Sequence, residues 1–158
     1  MSIVINSFQV IEDDWTDLTN QSDCLVSGLN VIVSLDHLKN KFGQLTLKSK
    51  SLAVILSETD SVDDILPFLK DLKMVVFQFK VFADGRAFSQ SKLLRGRHHY
   101  QGQIRAVGDV IRDQLSFMQR CGFSQFQLAK TEDVNQAIHA FNDISKSYQP
   151  ELVKANLL

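Results

Sequence analysis

The residues best suited to chemistry in this sequence are the arginines of its second half. All six arginines lie between Arg86 and Arg120, within about a quarter of the chain. A guanidinium group presents a planar set of donors that fits carboxylates, phosphates and other oxyanions. This concentration predicts an Arg-rich surface that docks an acidic partner or binds an oxyanion. The structural alternative is a solvated face whose arginines pair with neighbouring acidic side chains.

The strongest ligand-binding candidates lie where predicted strands end, because parallel sheets form their sites at the carboxyl ends of the strands. By this rule, the residues that share one edge are Glu58, Asp84, Arg86, Asp109 and Lys130. Such a cluster predicts an anion site or an acid–base site. In the structural alternative, Asp109 caps a helix and Asp84 begins a turn with the glycine that follows it.

Further arginines complete the candidate set. Arg105 lies inside an apolar strand, so a buried guanidinium there would need a carboxylate or carbonyl partner, and structural pairing is the alternative to a site. Arg112 lies one helical turn beyond Asp109, within reach of its carboxylate. The full set of candidate ligand-binding residues is Asp84, Arg86, Arg95, Arg105, Asp109 and Arg112.

The sequence predicts no metal or cofactor site. Its two cysteines and four histidines show no ligand spacing for zinc or for an iron–sulfur cluster. It contains no phosphate-binding loop, no dinucleotide-binding glycine motif and no nucleophile elbow. Cys121 ends a predicted helix, a position that does not favour a thiolate, so we expect a buried, inert thiol. No catalytic residue follows from these patterns, and whether the chain is an enzyme stays open.

About four β-α units are predicted to position these candidates. The predicted strands are residues 52–56, 74–79, 103–107 and 124–128. Each strand is followed by a pattern typical of a helix. Ser61 is the predicted N-cap of the first of these helices and Asp109 that of the third, which is predicted to end at Gly122. The alternation indicates an α/β fold with a parallel sheet, either open or half-barrel-like.

The chain is predicted to be a single domain, because its 158 residues are enough to bury roughly 70% of the unfolded surface. Residues 1–50 form an N-terminal extension, and residues 51–145 form the β-α core. Within the extension, residues 3–11 predict a hairpin, residues 29–35 predict a strand, and Ser34 caps a short helix. The edges of an open sheet need cover from this extension or from a second copy, which would make the protein a homodimer.

Composition narrows the class of partner. The chain has 17 basic and 18 acidic residues and a net charge of -1. Its first 79 residues carry 6 basic and 11 acidic side chains, and the remainder carries 11 and 7. The near-neutral total and the lack of interleaved aromatic residues disfavour nucleic acid. No apolar run approaches the roughly 18 residues that a membrane span needs, and no signal peptide is apparent, so a cytoplasmic protein is expected.

Four ordered motifs in the Arg-bearing segment resemble a known bacterial family. They are FADGRAFS at residues 82–89, KLLR at 92–95, GQIRAVGDVIRDQL at 102–115 and MQRCGF at 118–123. This set is similar to domain of unknown function nine-three-four. Ala87 is a departure, since the family usually has glycine there, and this implies an altered turn after Arg86.

The resemblance implies a link to assimilatory sulfite reduction, because family members are typically encoded beside the sulfite reductase and carry an oxidoreductase label. Two hypotheses follow. In the first, the protein is a non-catalytic accessory protein that docks on the sulfite reductase or its electron donor through its Arg-rich surface. In the second, it is a small-molecule enzyme, an oxidoreductase by that label, or an oxyanion-binding protein. Its strand-end site would then be Asp84, Arg86, Arg105 and Asp109.

Overall fold

The computed structural model describes residues 3–6, 9–23, 26–80, 85–129 and 133–139. The strands are β1 (Ile3–Asn6), β2 (Gln9–Glu12), β3 (Trp15–Asp17), β4 (Asn30–Ser34), β5 (Ser51–Leu56), β6 (Leu72–Phe79), β7 (Gln103–Gly108) and β8 (Gln125–Phe126). The α-helices are α1 (Leu35–Lys48), α2 (Gly85–Gly96) and α3 (Leu115–Arg120), and residues 134–139 are also helical. Two 3-10 helices occupy Val62–Asp71 and Arg112–Gln114.

The described strands form one open, curled, half-barrel-like sheet in the order β2-β1-β8-β7-β6-β5-β4-β3. The pairings from β3 through β8 are all parallel and follow chain order, as the repeated β-α units predict. The prediction of a parallel sheet is wrong for one edge, where β1 is antiparallel to both β2 and β8. The short β1–β2 connection explains one of these pairings, since a tight hairpin can join only antiparallel strands.

The main hydrophobic core lies between the sheet and its helices. Alternate strand residues such as Val54 and Val75 pack there with Leu38 of α1, Leu94 of α2 and Met118 of α3. Because side chains alternate across a strand, the residues between them point to the opposite face. There a second, smaller cluster forms from sheet residues alone: Ile32, Ala53, Met74 and Val76, with Trp15, Ile55 and Val107 at its margin.

The two edge strands of the curled sheet are neighbours in the chain. Only Asp13 and Asp14 separate the end of β2 from the start of β3. Three Cα–Cα steps of 3.80 Å limit this gap to about 11 Å, so covalent geometry holds the two edges close together. The strands β1 to β4 belong to the same sheet as the later β-α units.

The predicted N-caps have mixed outcomes. Ser34 caps α1 by accepting from the backbone N–H of His37 at 3.3 Å, as predicted. Ser61 also caps as predicted, although the helix that it begins is a 3-10 helix in which Pro67 has no N–H to donate. The prediction that Asp109 caps a helix is wrong: Ile111 is the residue before the 3-10 turn that leads into α3.

The end of α3 is as predicted. Gly122 has a φ of 107°, a conformation that L side chains rarely adopt. The N–H of Gly122 donates to the carbonyl of Gln119 at 3.0 Å, and the N–H of Phe123 donates to the carbonyl of Met118 at 3.1 Å. This pair of bonds closes the helix in a Schellman motif. Among the described residues, no helix combines the length and the apolarity that a membrane crossing requires.

Candidate functional site

The carboxyl ends of β5, β6 and β7 bring several predicted site residues to one edge. Arg86, at the start of α2, donates from Nη1 to the backbone carbonyl of Glu58 at 3.1 Å. The Glu58 carboxylate pairs with Nζ of Lys80 at 3.2 Å. Both side chains of this ion pair are about half exposed. The edge therefore has two cations and a carboxylate within reach of solvent.

Asp109 joins the same edge through its backbone. Its N–H donates to the carbonyl of Phe79, the last residue of β6, at 2.8 Å. Gly108 makes this approach feasible, because its φ is 95° and a Cβ there would collide with the Phe79 carbonyl. The Gly-Asp pair thus folds the end of β7 onto β6. Asp84 and Lys130, the other predicted members of this edge, lie outside the described residues.

Arg105 occupies a different place, in the middle of β7 on the face opposite the helices. It is 1% exposed, and its Nη1 lies 3.0 Å from Oδ1 of Asp13, which is 11% exposed. Its Nε donates to Oε1 of Gln125 at 3.0 Å. The expected carboxylate partner is therefore present, and it belongs to the link between β2 and β3. Arg105 ties that link to the middle of the sheet, which is a structural role.

Arg95 lies near the amino ends of the strands, away from the edge that holds Arg86. Its Nε donates to the carbonyl of Gly122 at 3.0 Å. Its Nη1 donates to the carbonyls of Tyr100 and Gly102 at 2.8 and 2.7 Å. Burial lowers the pKa of Arg95 from its ordinary value, and the electrostatic interaction with Tyr100 partly opposes that shift. This guanidinium joins the connection between α2 and β7 to the turn at the end of α3.

The remaining candidate, Arg112, is exposed and donates from Nη1 to Oε1 of Gln136 at 2.8 Å. Gln136 lies in the helical segment at residues 134–139, so Arg112 connects that segment to the turn before α3. The predicted set of arginines is thus divided between a sheet edge, a sheet face, a strand-start turn and a helix contact.

A surface that sequence reasoning did not single out lies on α2 and α3. Its members are two exposed apolar and two exposed basic residues: Leu93, Phe117, Lys92 and Arg120. We call these four residues the α2–α3 face. Leu93 is 44% exposed and Phe117 is 45% exposed, which is high for large apolar side chains. Neither α2 nor α3 contains an Asp or a Glu.

Contacts between the two helices bring Phe117, Lys92 and Arg120 close together, and Leu93 follows Lys92 in α2. The Phe88 and Phe117 ring centroids are 4.9 Å apart. Ser91 donates its hydroxyl proton to the Cys121 carbonyl at 2.8 Å. Burial raises the pKa of the Cys121 thiol, and the charges of Lys92 and Arg120 partly oppose this rise. Both cations therefore lie near the end of α3, and the thiol beneath them is buried, as predicted from its position.

The comparison with protein families matches residues 53–157 to a family described as a bacterial protein of unknown function (DUF934). This match covers well over half of the chain. The chain belongs to the DUF934 family. No curated protein and no solved structure matches it. The matched region contains the strands β6 to β8 and the α2–α3 face. It also contains Glu58, Lys80 and Arg86, which we call the carboxyl-edge cluster. The strands β1 to β4 precede the part that defines DUF934.

A polar cavity of about 490 Å³ in this DUF934 protein is lined by residues both before and after residue 53, where the family match begins. It opens at the carboxyl ends of β3 to β6, and its lining includes Asp17, Ser34, Ser57, Asp60 and Gln78. Asp60 accepts from the backbone N–H and the hydroxyl of Ser57 at 2.9 and 3.0 Å. Sequence reasoning missed this cavity because the short strand β3, which ends at Asp17, lies in a polar stretch that was not predicted to be a strand. Among the described residues, no group of His, Cys, Asp and Glu could hold a metal ion.

Proposed function

We propose that this protein is an accessory protein of assimilatory sulfite reduction. It docks on an acidic surface of the sulfite reductase or of the reductase's electron donor. The docking surface is the α2–α3 face. The link to sulfite reduction comes from the resemblance of residues 82–123 to family members that are encoded beside the reductase, and the docking mode comes from the chemistry of the face.

The observation that carries the docking proposal is the combination of exposed apolar side chains with basic side chains on two helices that contain no Asp or Glu. An interface needs desolvated apolar surface surrounded by polar groups, and Phe117 and Leu93 each expose apolar surface here. Lys92 and Arg120 supply that surround. Because α2 and α3 have no carboxylates, the complementary surface must be acidic rather than basic. The same argument disfavours self-association through this face, since two copies would bring like charges together.

The test measures binding of the purified chain to purified sulfite reductase and to its electron donor. The double variant Lys92→Glu/Arg120→Glu should bind at least about tenfold more weakly, a change of about 1.4 kcal/mol. Binding should also weaken as salt is raised. The matched control, Lys48→Glu/Lys50→Glu, reverses the same number of charges on exposed lysines elsewhere.

A second variant, Leu93→Ser/Phe117→Ser, tests the exposed apolar side chains without changing the charge. Its loss of affinity should appear mainly as faster dissociation. Unchanged binding in both double variants, or an equal loss in the lysine control, would contradict the assignment of the α2–α3 face. Absence of binding to both redox proteins would contradict the accessory role itself.

A second candidate function is oxyanion or small-molecule binding at the carboxyl edge. It is favoured by the placement of Arg86 and Lys80 beside Glu58 at the ends of neighbouring strands. In this case sulfite or sulfate should raise the melting temperature of the wild-type chain, and Arg86→Gln should abolish that increase. Lys39→Gln, which removes a lysine from an exposed ion pair with Asp64, is the control. No stabilisation by either anion would count against this candidate.

A further inference from the structure

A second cavity, of about 630 Å³, lies at the opposite end of the sheet from the carboxyl-edge cluster. Two segments build it: residues 66–73, at the end of the longer 3-10 helix and the start of β6, and residues 98–102, between α2 and β7. Its volume is within the range of about 300–1,000 Å³ that is typical of small-molecule sites. It is separate from the α2–α3 face, none of whose four residues lines it.

The lining of this cavity is basic on one side and apolar on the other. The basic side chains are Lys70, Lys73, His98 and His99, and no Asp or Glu lines the cavity among the described residues. The apolar floor comes from Leu66, Leu69 and Leu72, of which the first two are half-buried. Cations select an anionic group, and leucine side chains favour a ligand body that is not hydrated.

The wall that carries the histidines is fixed by buried hydrogen bonds. The Tyr100 hydroxyl donates to the Leu72 carbonyl at 2.9 Å, which ties the loop to the start of β6. Arg95 holds the Tyr100 and Gly102 carbonyls from behind. A Cβ on Gly102 would collide with the Tyr100 ring hydroxyl and with the Lys73 carbonyl, so this packing requires glycine. A wall held this way keeps its shape before a ligand arrives, which lowers the entropic cost of binding.

His99 carries the one left-handed backbone found among the described non-glycine residues, with a φ of 52°. It follows the end of α2, where glycine is the usual residue for this conformation. A histidine at such a position costs backbone free energy relative to glycine, and it places an imidazole at the mouth of the cavity. The residue with the strained backbone is therefore also one whose side chain lines the cavity.

We propose that this cavity binds an organic anion, with the oxyanion group at Lys70 and Lys73 and an aromatic or aliphatic body on the leucine floor. Phosphate monoesters, sulfate monoesters and carboxylic acids share this chemistry. The proposal is independent of docking through the α2–α3 face, because it involves different residues and can be tested on the chain alone.

The test titrates the full chain with 1-naphthyl phosphate and, separately, with 1-naphthol and inorganic phosphate, while amide NMR shifts are recorded. Saturable shifts should map to residues 66–73 and 98–102. Each half-ligand should bind at least about tenfold more weakly than the ester, since the anion and the apolar body contribute together. Replacing the phosphate by a sulfate or a carboxylate on the same naphthalene body distinguishes the three oxyanion sources.

The variant Lys70→Gln/Lys73→Gln should weaken binding of the ester about tenfold or more. The control, Lys48→Gln/Lys50→Gln, has the same change in net charge on exposed lysines outside the cavity and should retain wild-type affinity. His99→Gly, which relieves the strained backbone, should keep the fold and lower the affinity. The proposal is overturned if the shifts map elsewhere, if phosphate alone binds as well as the ester, if all three anions fail to bind, or if the two lysine pairs behave alike.

Discussion

The ion pair between Arg105 and Asp13 offers the sharpest test of how the curled sheet is held together. Arg105→Met keeps an unbranched side chain in β7 and removes the charge. Asp13 would then remain largely buried without its cation, and Gln125, which is 5% exposed, would lose a donor. Breaking one side of a buried ion pair costs about 3–5 kcal/mol. For a chain of this size, that corresponds to a fall in melting temperature of roughly 6–20 °C.

Urea unfolding followed by fluorescence measures this loss directly. Trp15 is the single tryptophan, and its backbone N–H donates to Oδ1 of Asp13 at 3.2 Å, so the reporter sits at the perturbed link. The double variant Arg105→Met/Asp13→Asn should recover part of the stability, because it no longer leaves a buried charge unpaired. Lys80→Gln provides the control, since it removes an exposed ion pair and should change stability by less than about 1 kcal/mol.

A loss below about 1 kcal/mol in Arg105→Met would refute the assignment of Arg105 as the residue that ties the β2–β3 link to the sheet. So would additive effects in the double variant, because two residues in contact must show a coupling energy. A loss of the expected size with full additivity would mean that the damage comes from packing alone.

Three further predictions concern the end of α2 and α3. Gly122→Ala should lose roughly 1–3 kcal/mol in urea unfolding, because φ is 107° there and the new Cβ would lie 2.6 Å from Cγ of Arg95; wild-type stability would contradict this geometry. Burial raises the pKa of Tyr100, and the charge of Arg95 partly opposes that rise. The neutral phenol therefore stabilises the folded state fully below the ordinary pKa near 10, and this contribution to the free energy of unfolding is lost as pH rises above it. Tyr100→Phe should therefore flatten the decline of unfolding free energy above roughly pH 10, and an unchanged pH dependence would oppose this reasoning. In a Cys24→Ser background, the buried Cys121 thiol should react with an aromatic disulfide far more slowly in buffer than in urea, and equal rates would show that it is exposed.

Local signals in the sequence predicted most of the elements correctly. The apolar runs at residues 52–56 and 74–79 lie within β5 and β6, because a strand buried on both faces needs apolar side chains throughout. The hydroxyl N-caps Ser34 and Ser61 and the left-handed Gly122 are also local, since each depends on backbone within a few residues. The predicted Asp109 cap is wrong because the backbone stays extended at Ile111 and the first helical turn begins only at Arg112. The N–H of Asp109 donates to Phe79 on a neighbouring strand, a contact that the local pattern does not contain.

Contacts between distant parts of the chain account for what the sequence could not predict. β1 pairs with β8 through Ile5 and Phe126, which are near opposite ends of the described chain. The partner of Arg105 is 92 residues away, so the need for a carboxylate was predictable but its identity was not. The candidate site was therefore predicted only in part. The strand-end rule correctly placed Glu58 and Arg86 at the same edge of the sheet. It did not show that other candidates, such as Arg105 and Arg95, lie elsewhere and stabilise the fold.

The division of the arginines also changes what the uneven charge of the chain can mean. Arg105 is neutralised by a carboxylate in a buried pair, and Arg95 is held by carbonyls, so neither offers its charge to a partner. Lys92, Arg120 and the cavity lysines, in contrast, have side chains that are exposed to solvent. Because α2 has no acidic residue to offset this charge, its exposed side attracts anions across a Debye length of about 10 Å. The same helix supports, through Arg95, the loop that forms the basic cavity, so a change in α2 would alter both proposed sites.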